Sequence, residues 1–202
     1  MTKEEIGKII GAMSAPVNVD KIRLETQRLI LRPLTWEDFT DIHEICCQEE
    51  VAESAGWKAS KSEEDSRNRL KAYIEDGETV AIVLKETGKV LGTISLQKRP
   101  WHIYPIDRTL RGRELGFDLH STYWGMGLMP EAVKVLSSYC FDVLGYDFIS
   151  AGYFRGNEKS RRAIEKCGFS FLFEDDREFP GEAPIHILTH ILYNPHKEKA
   201  YV

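Results

Sequence analysis

The chain has no apolar run of the length a membrane-spanning helix requires, which excludes a helical span. It also lacks a Cys-x-x-Cys pair. Its four cysteines, Cys46, Cys47, Cys140 and Cys167, form no regular framework, so reduced thiols in a cytoplasmic protein are expected. No basic excess is present: the net charge of −5 gives none of the cationic footprint that phosphate-backbone binding needs, which argues against a direct nucleic-acid partner. The first residues carry Lys3, Glu4, Glu5 and Lys8 with no apolar run and cleavage site behind them, so a soluble, unprocessed chain is expected. His186 and His190 are four apart but lie in a strand-like segment without a supporting cluster, and no metal is expected.

What the chain does contain is enough apolar residue for one domain, 42% of 202 positions. Residues 25–193 form the expected domain, with 1–24 as an appendage carrying a short amphipathic helix over 3–13, and 194–202 as a tail. Leu29 and Leu31 alternate with Arg28, Ile30 and Arg32 in a first strand that Pro33 should end. Thr35 and Asp38 read as a capping box opening a helix through Ile42 and Ile45. Ser62 caps a second helix that runs to about Glu75 and stops at Gly77. Val80 to Leu84 and Val90 to Leu96 make a hairpin, followed by a Pro-interrupted loop over 98–112. Glu114 to His120 alternates strictly, placing Leu115, Phe117 and Leu119 on one face and Glu114, Gly116, Asp118 and His120 on the other. A long helix from Leu128 to Leu144, with Val143 among its apolar positions, ends at Gly145. A strand over Phe148 to Phe154, a helix from Asn157 to Lys166 with Gly168 behind it, and strands near Phe169 to Phe173 and Ile185 to Leu192 complete a mixed α/β sheet.

The chemistry concentrates where the alternating strand hands over to the long helix, through Tyr123, Trp124, Gly125, Met126, Gly127, Leu128 and Met129. Glycines let a backbone approach a ligand closely, and a helix start offers unpaired N–H groups at the positive end of its dipole. Such a turn cradles an anion, although two glycines also suit a plain tight turn. No Gly-Lys-Ser/Thr follows, which removes a Walker loop. The third glycine of a dinucleotide fingerprint would fall on Pro130.

Leu115 to Leu119, then Tyr123 to Met129 with Glu131 and Ala132, resemble the acetyl-CoA loop of GNAT acetyltransferases, in the branch of the RimJ and RimL ribosomal-protein acetyltransferases. That pattern has Gln or Arg, two residues, Gly, one residue, then Gly or Ala. Trp124 holds the first place, Gly127 the glycine and the bulkier Met129 the last. Glu25 to Arg32 are similar to the opening strand of the branch, and Asn157 to Ser160 with Cys167, Gly168 and Phe169 to its second CoA-contacting motif. The resemblance implies an α/β (α+β) GNAT fold, a mixed and mostly antiparallel sheet of about seven strands. The fourth and fifth strands splay, and the pantetheine arm is added between them. It implies that Trp124 belongs to the cofactor loop, that the amides of Gly125, Met126, Gly127, Leu128 and Met129 hold the pyrophosphate, and that the backbone of Phe117 and Leu119 holds the pantetheine. Asn157 and Ser160 face the arm and the sulfur. Asn157 also suits a plain N-cap.

A cytoplasmic acetyl-CoA-dependent N-acetyltransferase acting on a protein or peptide N-terminal α-amine is therefore expected, with no metal, no membrane partner and a homodimer left open. A small amine (a polyamine, an amino acid or an aminoglycoside) and a non-catalytic acyl-CoA sensor are the alternatives. Attack requires a neutral amine, and Glu114 is the candidate base, beside the thioester at the open end of its strand. It also reads as a solvated charge. A backbone N–H near Leu119 is the candidate oxyanion donor, and Ser160, which otherwise suits a helix first turn, the candidate donor to the leaving sulfur. Trp57, Trp101, His102 and Tyr104 lie in segments that could line an acceptor pocket.

Overall fold

The computed structural model describes residues 17, 19–98, 105–107, 109–177 and 184–197. The helix expected over 3–13, and Trp101, His102 and Tyr104, lie outside the described residues. Eight strands form one sheet: β1 (Leu24–Glu25), β2 (Leu29–Pro33), β3 (Thr79–Leu84), β4 (Val90–Gln97), β5 (Gly112–Leu119), β6 (Phe148–Phe154), β7 (Ser170–Arg177) and β8 (Ile185–Tyr193). Their order is β1-β2-β3-β4-β5-β6-β8-β7. All neighbours are antiparallel except β5 and β6. The strand beyond the seven expected is the two-residue β1, whose Leu24 and Glu25 pair with Leu31 and Ile30.

Among the described residues, five α-helices cover the two faces: α1 (Phe39–Cys46), α2 (Glu49–Ala55), α3 (Glu63–Asp76), α4 (Leu128–Asp142) and α5 (Glu158–Glu165). Leu29, Leu31, Ile82, Leu91, Leu115 and Ile149 pack with Ala132, Val133, Leu136 and Cys140 of α4. On the other face Ala81, Val83 and Val90 meet Ile42, Ile45 and Cys46 of α1 and Leu70 of α3. Because both faces are covered, β3 and β4 read as continuous apolar runs rather than alternating ones. Each fully buried leucine contributes about 1.5–3 kcal/mol.

Local signals set several element ends. Thr35 and Asp38 close the reciprocal capping box ahead of α1. Ser62 accepts a hydrogen bond from the Asp65 amide, and Gly77 follows α3 at φ 59°. Pro33 ends β2 as expected, standing as its last residue opposite Val80, beyond the short reach of β1 where its missing N–H costs no ladder bond. Three features differ from expectation. Val143 lies just past α4 and is exposed. Helix α2 was not expected: its N-cap Gln48 makes no side-chain capping bond, and Gly56 in the left-handed conformation is what closes it. Packing also begins before residue 25: Val17, Val19 and Ile22 are buried in the main core.

Candidate active site

The parallel ladder between β5 and β6 runs from Gly112–Phe148 only to Leu115–Ala151. Past that pair, Gly116 to Leu119 and Gly152 to Phe154 no longer pair with each other, while β4 and β8 continue to hold their outer edges. Two inner edges thus part, leaving main-chain groups available to a third, strand-like partner. A cavity of about 590 Å³ occupies this wedge, bordered by Phe117 and Leu119, by Trp124, Gly125, Gly127, Leu128 and Met129, and by Asn157 and Ser160.

The turn at its wide end is built tightly. Trp124 donates from Nε1 to the Leu119 carbonyl at 2.7 Å, and the Ser121 amide donates to Gln48 Oε1 at 2.9 Å. Gly125 and Gly127 stand at φ 78° and 74°, the left-handed region that only glycine enters freely. Gly127 is the N-cap of α4 and has no side chain to cap it, so the first amides of a 15-residue helix stay open at the cleft. Met129 sends its side chain into the core, so its bulk does not fill the turn. Met126 is exposed and does not border the cleft; its carbonyl accepts from Arg28 Nη1 at 3.0 Å.

That contact belongs to a brace between segments far apart in sequence. Glu131, in the first turn of α4, accepts from Thr26 Oγ1 at 2.5 Å, the Arg28 amide at 3.0 Å and Arg28 Nε at 2.7 Å. Burial pushes the Glu131 carboxyl up, but the bonds from Thr26 and Arg28 together outweigh it and leave it below its ordinary value. Glu131 and Arg28 lie 103 residues apart, and only the folded sheet brings them together.

Across the cleft, Lys159, Arg162 and Lys166 of the α5 segment border the cavity. Their spacing of three and four places them on one helix face, a signal that was present in the sequence. Arg161, on another face, pairs with Glu158 and Glu165 instead. Lys159 Nζ sits 3.7 Å from the centroid of the Trp124 ring, spanning the mouth. Open helix amides facing three cations suit a ligand with several phosphate charges.

Asn157 uses both ends of its amide: Oδ1 accepts from the Ser160 amide at 3.1 Å, and Nδ2 donates to the Ser54 carbonyl at 2.9 Å. It is therefore an N-cap and a tie to α2 as well as a cleft residue. Among the described residues, Ser160 Oγ has no hydrogen-bond partner, which leaves it available at the cleft wall. The His120 amide donates to the Leu91 carbonyl at 2.7 Å, so it is not a spare donor near Leu119.

The carboxylates of β5 are buried, so the alternative reading of Glu114 as a solvated charge does not hold. Glu114 is 4% exposed and takes Arg177 Nη1 at 3.0 Å. It stands opposite Ser150, where the ladder is still closed, rather than at the open end of the strand. Asp118 accepts from the Thr93 amide at 3.2 Å and Thr93 Oγ1 at 2.7 Å. Burial pushes its carboxyl up to about 6, against the pull of the two Thr93 bonds. Between about pH 4 and about 6 the folded state therefore holds more protons than the unfolded one, and stability falls as pH rises through that window. Asp118→Asn, which can keep both Thr93 bonds, is expected to remove this decline; urea unfolding of both proteins across the window checks it.

Residues 28–170 match the family model described as an acetyltransferase (GNAT) domain. The chain belongs to the GNAT acetyltransferase family. It is an N-acetyltransferase of that family, whose members take acetyl-CoA as donor. The uncharacterised N-acetyltransferase YoaA of Bacillus subtilis (strain 168) is 28% identical over 151 residues, covering 72% of this chain and 81% of that one. The ribosomal-protein-S5-alanine acetyltransferase of Vibrio fischeri shares the fold with a TM-score of 0.63 at 20% identity, covering 87% of this chain and 98% of that one. The spermidine N-acetyltransferase of Vibrio cholerae, solved with CoA and spermine, gives 0.66 at 17% identity, covering 84% and 97%. No helix among the described residues is long and apolar enough to cross a membrane.

Proposed function

We propose that this acetyltransferase acylates the α-amine of a protein or peptide N-terminus by direct attack in a ternary complex with acetyl-CoA. The observation that carries the reading is the wedge itself, with an anion-holding turn at its wide end and a buried carboxylate, Glu114, beside its tip. Amides of Gly125, Gly127, Leu128 and Met129, with Lys159 nearby, hold the diphosphate; Met126 helps by fixing the turn through Arg28. The edges of Phe117 and Leu119 bind the pantetheine arm as an added strand. Glu114 receives the proton released as the amine attacks, and Ser160 supplies one to the departing sulfur. A main-chain N–H on the open edge of β5 stabilises the oxyanion.

Two lines favour a protein acceptor: the resemblance of three motifs to the RimJ and RimL branch, and the fold shared with a ribosomal-protein acetyltransferase. A polyamine is the second reading. It draws on the fold shared with a spermidine acetyltransferase, and on Glu50 and Glu53, which border a smaller cavity adjoining Trp124. Thiol release measured against peptides of varied first residue and a set of small amines separates the two. Binding of CoA with no turnover on any acceptor would instead indicate a sensor. Glu114→Gln is expected to lower kcat by about 100-fold, the usual scale for losing a general base, and Ser160→Ala by a smaller factor. Wild-type rates in both variants across pH 6 to 9 would remove these two assignments.

A further inference from the structure

Side chains at alternate positions of a strand share a face, and partners across a ladder share it too. Glu114 and Ser150 are partners in the last part of the closed β5–β6 ladder, one residue inside the point where it opens. On the neighbouring strands of the same face lie Gln97, opposite Glu114, and Ser95, opposite Gly116. Arg177 reaches over from β7, donating to Glu114 at 3.0 Å and to Thr189 Oγ1 at 2.8 Å. Gly116, at the next face position of β5, lets the Gln97 head lie against the sheet, since a Cβ there would come within 2.6 Å of Gln97 Nε2. The wedge tip is thus ringed by polar groups in the middle of a sheet, where apolar residues are the rule.

One member of the ring stands apart. Ser150 is 0% exposed, and its Oγ has no hydrogen-bond partner. Leaving a hydroxyl buried and unpaired is unfavourable, so a chain that keeps one there sacrifices stability unless something else bonds it. The group that must arrive at this point in the reaction is the acceptor amine, which needs a hydrogen-bond acceptor to orient its lone pair.

We propose that Ser150 is a substrate-contacting residue of the acceptor site, its Oγ accepting one N–H of a primary amine whose other proton is directed at Glu114. The proposal rests on the acetyltransferase reading above and extends it to the residue that seats the acceptor. As the bond from nitrogen to the acyl carbon forms and the carbon–sulfur bond breaks, one amine proton passes to Glu114 and Ser160 gives its proton to the thiolate; Glu114 then releases its proton to solvent, from which Ser160 regains one, so the products are an amide and a free thiol and both side chains are restored. Ser150 keeps its own proton throughout. A primary amine can satisfy both partners, whereas a secondary amine has one N–H fewer.

The test is Ser150→Ala, read in three ways. The melting temperature of the free protein is expected to stay the same or rise, since an unpaired buried hydroxyl is removed. The KM for a peptide or primary-amine acceptor should rise by about tenfold, the scale of one lost hydrogen bond, while the Kd for acetyl-CoA stays within twofold of wild type. An unchanged acceptor KM overturns the proposal, and so does a KM rise accompanied by an equal loss of acetyl-CoA affinity. Should the alanine variant not fold, Ser150→Cys, of similar size but with a weak acceptor atom, is expected to show the same KM rise, and an unchanged KM overturns the proposal there. Failure of the wild-type protein to bind acetyl-CoA would instead strike the acetyltransferase reading, and is distinguished by that titration alone.

Discussion

Gly127→Val is expected to weaken acetyl-CoA binding by about 10- to 100-fold, measured by calorimetric titration. Gly127 sits at φ 74° as the N-cap of α4, and a β-branched residue held there stores about 1–3 kcal/mol of backbone strain. The chain can relieve that strain only by rotating the turn, which turns the first amides of α4 away from the cleft. A control exists in the same protein: Gly88, in the turn between β3 and β4, also has φ 74° and has nothing within 4 Å of a Cβ. Gly88→Val should therefore cost comparable stability while leaving acetyl-CoA affinity as it was. Equal affinities in the two variants would mean that the turn before α4 is merely a bend.

Glu131→Ala is expected to lower both stability and acetyl-CoA affinity, the first by about 2–3 kcal/mol in urea unfolding. The carboxylate holds Thr26, the Arg28 amide and the Arg28 guanidinium, whose Nη2 lies 2.6 Å away. Removing it leaves Arg28 without its ion pair, and Arg28 is the residue that fixes the Met126 carbonyl in the turn. Arg28→Ala should reproduce the loss of affinity with a smaller loss of stability, because Glu131 keeps its Thr26 bond. A stability loss in Glu131→Ala with unchanged affinity would make the brace structural only.

Much of the fold was legible because its signals are local. The capping box of Thr35 and Asp38, the Ser62 cap, and the left-handed glycines at 77, 127 and 168 each mark an element end within a few residues. The turn after β5 was legible for the same reason, and so was the basic face of Lys159, Arg162 and Lys166. What the sequence hid depends on register between distant strands. Glu114 allowed a reading as a solvated charge because alternation cannot tell water from a second layer of helices, yet it is buried. Arg177 meets Glu114 across 63 residues, and the Arg28–Glu131 brace spans 103. Helix α2, which ties Asn157 to Ser54, had no N-capping side chain and only a short apolar stripe to announce it, with Gly56 alone marking its end.

The central claim is that the main chain at the start of α4 holds the diphosphate of acetyl-CoA while the parted edges of β5 and β6 take its arm. Calorimetric titration of acetyl-CoA into the wild-type, Gly127→Val and Gly88→Val proteins tests it most directly. Saturable one-to-one binding in the wild type and Gly88→Val, weakened in Gly127→Val, is the predicted result. No binding by the wild-type protein, or binding untouched at Gly127, would contradict it.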